Sequence, residues 1–125
     1  MLKVLYIDDD EVNRELVQRI MARAPYEVEV IEAVDGQLGV AAAEEHHPDL
    51  ILMDFHMPGL AGPEATRQIR AIDSLKDVKI IALTADIYAR GDFEAAGCDS
   101  YLTKPIRKRS LIQGIGKLFP DLPTL

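Results

Sequence analysis

Val4-Leu5-Tyr6-Ile7-Asp8-Asp9-Asp10-Glu11 decides how the chain is read, because four apolar residues run without a break into four acids. The segment from Lys3 to Ile7 has the β-branched and aromatic character of a buried strand. Carboxylates crowded at the end of such a strand repel one another, by roughly 4 kcal/mol for two unit charges about 4 Å apart at an effective dielectric near 20. A cation offsets that repulsion, and a hard divalent ion held by oxygens is the simplest candidate. Beyond the acids the period changes. Val12, Leu16, Val17, Ile20 and Met21 recur at helical spacing, so Asp10 caps a helix over Glu11–Ala24 that Pro25 ends.

Working outward, the same alternation repeats along the chain. Glu27–Ile31 reads as a weaker strand, and Asp35-Gly36 opens an alanine-rich helix that runs to about His47, before Pro48. Leu50–Met53 is a continuous apolar strand. After the turn Met57-Pro58-Gly59-Leu60-Ala61-Gly62, Pro63 suits the first position of a third helix carrying Ala65, Ile69 and Ile72. Val78–Leu83 is again a buried strand. A fourth helix over Ile87–Ala96 is interrupted by Gly91, at a cost of about 1 kcal/mol relative to alanine, which suits an element that moves. Ser100–Thr103 gives a short fifth strand, and Leu111, Ile112, Ile115, Leu118 and Phe119 mark a last amphipathic helix.

Five strands alternating with five helices predict an α/β fold, a doubly wound five-stranded parallel sheet with helices on both faces. Parallel neighbours need a crossover helix, and those crossovers are right-handed. The expected organisation is one domain over residues 1–120 with a C-terminal tail at 121–125, leaving no room for a separate output domain. A net charge of −7 argues against nonspecific binding to nucleic acid, which needs clustered Lys and Arg. No apolar run approaches the ~20 residues of a membrane span. Met1-Leu2-Lys3-Val4 enters a strand with no signal-peptide pattern, and the one cysteine, Cys98, can form no internal disulfide, so a reducing cytoplasmic location is expected.

In open parallel sheets, ligands bind beyond the carboxyl ends of the strands. Those ends carry Asp8 and Asp9 after the first strand, Asp54 after the third, Thr84 after the fourth, and Lys104, before Pro105, after the fifth. Singly these residues are unremarkable, since an acidic pair suits a helix start, a threonine caps and a lysine is solvated. Together on one edge they suit phosphoryl chemistry: carboxylates and waters hold Mg2+, and an ammonium and a hydroxyl stabilise charge on equatorial phosphoryl oxygens.

The segments YIDDDEVNRELV, PDLILMDFHMPGLAGPEATRQIR, IIALTAD and GCDSYLTKPI, in this order and spacing, resemble the receiver domains of two-component response regulators across nearly the whole chain. The resemblance covers both single-domain regulators and receivers of hybrid histidine kinases, and the DDDEVNRELV and MDFHMP stretches look like the hybrid-kinase type. That resemblance implies a flavodoxin-like sheet with strand order 2-1-3-4-5. It implies that Asp54 takes a phosphoryl group as an acyl phosphate from a histidine kinase or a histidine phosphotransfer protein. Asp8 and Asp9 would hold Mg2+ with Asp54 and the backbone carbonyl of His56, while Lys104 pairs with the phosphate and Thr84 hydrogen-bonds to it. Tyr101 would rotate inward as Thr84 moves, changing the surface of the fourth helix, fifth strand and fifth helix for a downstream protein target or a phosphorylation-dependent dimer. His56 and Asp86 sit where family members set the lifetime of the phosphate. Such a module catalyses only its own phosphorylation and dephosphorylation. One departure is Ala61, where many members carry an acid that caps the third helix; Gly62 and Pro63 are left to start it.

Two other classes use related parts. A Mg2+-dependent phosphatase with an aspartyl intermediate wants a second acid two positions after the nucleophile, where this chain has His56. A flavodoxin-like cofactor-binding module wants a hydroxyl- or glycine-rich phosphate loop after the first strand, where Asp8-Asp9-Asp10 would repel phosphate. Outside the sheet edge, His46 and His47 read as solvated residues at a helix end. Arg107-Lys108-Arg109 opposes the dipole of the last helix and reads either as a solvated run or as a contact for an acidic partner.

Overall fold

The computed structural model describes residues 1–85 and 90–123. Its elements are β1 (Leu2–Ile7), α1 (Glu11–Ala22), β2 (Val28–Ala33), α2 (Gly36–His46), β3 (Leu50–Asp54), α3 (Gly62–Arg70), a 3-10 turn (Asp73–Leu75), β4 (Lys79–Thr84), α4 (Arg90–Ala96), β5 (Ser100–Thr103) and α5 (Lys108–Leu118). The five strands form one parallel sheet in the order β2-β1-β3-β4-β5. This is the doubly wound arrangement expected from strict alternation of the two periods.

Side chains alternate across the sheet with period two and split the core into two layers. Leu5 and Ile7 of β1, Ile51 and Met53 of β3, and Ile80 and Ala82 of β4 face one way, covered by Ala43 of α2, Ala65 and Ile69 of α3, and Ala96 of α4. Val4, Tyr6, Leu50, Leu52, Ile81 and Leu83 face the other way, under Val17, Ile20 and Met21 of α1 and Leu111, Ile112 and Ile115 of α5. β3 is buried along its whole length, which is why its sequence is an unbroken apolar run. Leu122, past the last helix, packs against the second layer.

Element ends shift for local reasons. α1 stops at Ala22, where the Arg23 N–H turns back to the carbonyls of Ile20 and Met21. α2 ends one residue early because His47 takes a left-handed conformation (φ 46°) while its N–H reaches the Ala43 carbonyl. β2 starts at Val28 and runs to Ala33, following β1 residue for residue. Ile72 lies beyond α3 yet packs on the core, and the unforeseen 3-10 turn buries Leu75. β3 and β4 each run one residue further than expected, so Asp54 and Thr84 are the last residues of their strands. α4 is described from Arg90; the first part of the expected helix, Ile87–Ala89, lies outside the described residues. No helix among the described residues is long and apolar enough to cross a membrane.

Candidate functional site

The carboxyl edge of β1, β3, β4 and β5 gathers Asp8, Asp9, Asp54, Thr84 and Lys104 into one cleft. Asp8, one residue past β1, is fully buried. Its Oδ1 accepts the Asp10 N–H at 2.9 Å, and its Oδ2 accepts the Tyr6 hydroxyl at 2.5 Å and Lys104 Nζ at 3.4 Å. Asp9 is exposed at the rim. Asp10 points elsewhere and caps α1, its Oδ1 accepting the Val12 N–H at 2.9 Å. The acidic run is thus divided between cleft and helix start.

Asp54 is almost wholly buried. Its Oδ1 accepts the His56 N–H at 3.1 Å and stands 3.2 Å from Lys104 Nζ. Burial pushes its carboxyl above the ordinary aspartate range; the His56 N–H opposes this, Asp8 adds to it, and Lys104 opposes it again. Lys104 is delivered by sheet pairing: Thr84 lies opposite Thr103, and the Lys104 N–H donates to the Thr84 carbonyl at 2.7 Å. Its ammonium bridges Asp8 and Asp54, the buried acids of the cleft.

Thr84 is fully buried, and its Oγ1 lies 3.1 Å from Nε2 of the otherwise exposed His56. Tyr101, in β5, is half-buried against the first core layer. Asp86 lies outside the described residues. His46 gives its carbonyl to Lys3 Nζ at 3.1 Å, with its imidazole 3.7 Å from Glu45, and His47 is exposed. Arg107 precedes α5 without a side-chain cap. Cys98 is half-buried, and burial pushes its thiol up to about 11.

Carboxylate oxygens of Asp8, Asp9 and Asp54 all lie within 4.8 Å of one another. An all-oxygen set of carboxylates, two of them buried and bridged, among the described residues, by one ammonium, fits a hard divalent cation of the Mg2+ class. Sequence reasoning missed Tyr6, whose phenol is driven far above its usual range by burial first and Asp8 second. Its signal was available. The strand period places Tyr6 two residues before Asp8, on the same side of the chain.

Parallel strand order, a buried carboxylate at the end of β3, acidic neighbours and a bridging lysine are the arrangement expected of a receiver domain. The chain belongs to the response regulator receiver domain family, whose model matches residues 4–116. It is therefore a phosphoacceptor signalling module of two-component systems. Among its relatives is the polar-differentiation response regulator DivK of Brucella ovis, 34% identical over 121 residues that cover 94% of this chain and 96% of DivK. Chemotaxis protein CheY4 of Vibrio cholerae is 30% identical with a TM-score of 0.84, covering 94% of this chain and 98% of that one. The receiver domain of a Pseudomonas aeruginosa sensor histidine kinase, solved with magnesium in its active-site cleft, is 32% identical with a TM-score of 0.87 and covers 96% of this chain and 98% of that one. The receiver of a Saccharomyces cerevisiae response regulator, co-crystallised with a histidine phosphotransfer protein, is 28% identical with a TM-score of 0.84 and covers 93% and 87%.

Proposed function

We propose that Asp54 is the phosphoryl acceptor and that the cleft works as a charge-transfer switch around Lys104. The observation that carries this reading is the Lys104 bridge, with Nζ 3.2 Å from Asp54 and 3.4 Å from Asp8. A carboxylate oxygen of Asp54 attacks the phosphorus of a phosphohistidine or acyl phosphate, and the donor's bond to phosphorus breaks as the acyl phosphate forms. Lys104 then exchanges carboxylate oxygens for phosphoryl oxygens, a charge-assisted contact. The Thr84 hydroxyl leaves His56 and donates to the phosphoryl group, and Tyr101 moves into the space it vacates, reshaping the α4-β5-α5 surface.

Asp8, Asp9, Asp54 and the backbone carbonyl of His56 would hold Mg2+. When bound, the ion neutralises charge on the phosphoryl oxygens. The neighbouring kinase receiver with magnesium in its cleft supports this set. His56 and Asp86 tune the lifetime of the phosphate, His56 through its contact with Thr84. Catalysis is confined to the chain's own aspartate, and residues 1–120 are the working module. The phosphoryl donor is a histidine kinase or a histidine phosphotransfer protein, in keeping with the yeast receiver crystallised with such a protein. A downstream protein or a second phosphorylated copy reads the switched surface, with no direct role for nucleic acid or membrane.

The test is incubation with acetyl phosphate and Mg2+, followed by intact mass. Wild type is expected to gain one phosphate and Asp54→Asn none. Equal labelling of both proteins, or of neither under any donor, would overturn the assignment.

A further inference from the structure

We propose that Tyr6 is a positioning residue for Asp8, keeping that carboxylate in its metal-binding orientation when Lys104 leaves it for a phosphoryl group. This rests on the functional reading above. The Tyr6 ring is fully buried in the second core layer, and its hydroxyl donates to Asp8 Oδ2. Asp8 Oδ1 is held separately by the Asp10 N–H. Oδ2 is shared with Lys104, which is 3.4 Å away, partly exposed, and also bound to Asp54.

These two donors differ in what they can do. Lys104 ends a flexible four-carbon stem and can follow a new anion. The Tyr6 ring is packed on all sides and cannot. Once Lys104 has moved, Tyr6 is the side-chain donor left on Oδ2 among the described residues. A core position filled only for volume would be served by phenylalanine, which lacks the hydroxyl. In that case Oδ2 would depend on Lys104 alone, which both loosens Asp8 and ties the lysine down.

Hydrogen bonds that orient metal-ligating carboxylates contribute roughly 10–100-fold to metal affinity. Because Asp9 and Asp54 remain, Tyr6→Phe is expected at the low end, about tenfold weaker in Mg2+ Kd. The measurement is a Mg2+ titration without any phosphoryl donor, followed by amide shifts at the cleft. In a Lys104→Ala background the same substitution should cost more than in wild type, because Oδ2 then has no side-chain donor. A Kd within twofold of wild type, whether or not stability falls, overturns the inference and leaves Tyr6 a packing residue. A second readout needs no variant: the Tyr6 hydroxyl proton should stay protected from exchange with Mg2+ and beryllofluoride bound, and rapid exchange there also overturns the inference. Wild type that binds no Mg2+ overturns the functional reading itself, and an unchanged Tyr6→Phe against a binding wild type overturns this inference alone.

Discussion

Gly62→Ala joins the fold and the cleft in one perturbation. Gly62 opens α3 and is buried against the segment that carries Asp54. A Cβ there would stand 2.5 Å from Phe55 Cδ1, 2.6 Å from the Asp54 carbonyl oxygen and 2.7 Å from Phe55 Cα. Ordinary contact begins at 3.4 Å, so the Asp54–Phe55 backbone must retreat by about 0.8 Å or α3 must lift. A rotamer change relieves only the ring contact, because the other two neighbours are main chain. Overpacking costs about 1–3 kcal/mol, and a backbone obstacle puts this case near 2–3. With a urea dependence of about 2 kcal/mol per molar, the unfolding midpoint should fall by roughly 1 M.

Gly116→Ala supplies the contrast. Nothing lies within 4 Å of its Cβ position, inside α5, so alanine should stabilise by about 0.5–1 kcal/mol. Displacing Asp54 should also slow phosphorylation by acetyl phosphate, since misplacement of about 1 Å can cost up to ~100-fold. Urea denaturation and intact-mass kinetics on both variants decide the matter. A Gly62→Ala protein as stable as wild type would refute the close packing. A destabilised one that phosphorylates at the wild-type rate would refute its link to Asp54.

Arg70 ties the end of α3 to two loops, donating to the Gly97 carbonyl at 2.9 and 3.0 Å, to the carbonyls of Lys76 and Val78, and to Asp99 at 2.9 Å. Arg70→Met should cost about 2–3 kcal/mol in equilibrium denaturation, and a loss under about 0.5 would dismiss the clamp. Asp54 has a folded pKa raised above 3.8, so its contribution is favourable below that value and is lost as pH rises through the raised one. Without Mg2+, Asp54→Asn should therefore melt above wild type at pH 7, with the gap closing below pH 3.8; an Asn variant that melts lower at pH 7 contradicts the sign. His56→Ala removes an imidazole that competes for the Thr84 hydroxyl, worth about 0.5–1.5 kcal/mol, so beryllofluoride should bind roughly 2–10-fold tighter; weaker binding speaks against competition. Val12, 71% exposed on the first turn of α1, offers apolar contact beside the cleft. Val12→Glu should slow transfer from a phosphohistidine protein while leaving acetyl phosphate labelling intact, and equal effects on both donors would show that Val12 makes no contact with the protein donor.

What the sequence made legible follows from which interactions are local. β1, β3 and β4 stood out because strands covered on both faces need apolar residues at every position, and acids at their ends are then conspicuous. Which strands neighbour each other left no trace in the periodicity, and the order came from the resemblance. Tyr6 was hidden because an aromatic residue in a buried strand reads as volume; its hydroxyl matters only once Asp8 folds back toward it. Gly62 read as part of a turn, although its backbone conformation is helical and the true constraint is the nearness of Asp54 and Phe55. Arg70 carried no signal of its own in the sequence. Its partners lie up to 29 residues away, across loops whose positions no local pattern encodes.

On the proposed reading, the cleft's charge balance favours a switch that runs through β4 rather than β1. Lys104 is the cation bound to both buried acids, and phosphorylation brings a competitor with about −1.5 to −2 charge. Asp8 can release the lysine because the Asp10 N–H and the Tyr6 hydroxyl hold both of its oxygens. β1 therefore has no reason to move. Thr84 is differently placed, since its Oγ1 has a resting contact with the exposed His56 side chain, which the proposed phosphoryl contact would replace. Its backbone carbonyl meanwhile accepts the Lys104 N–H at 2.7 Å, so displacement of Thr84 is felt where Lys104 leaves β5. On the proposed reading, side chain and backbone of Thr84 would thus couple acceptor chemistry to β5, whose Tyr101 lies opposite Ala82, two residues before Thr84.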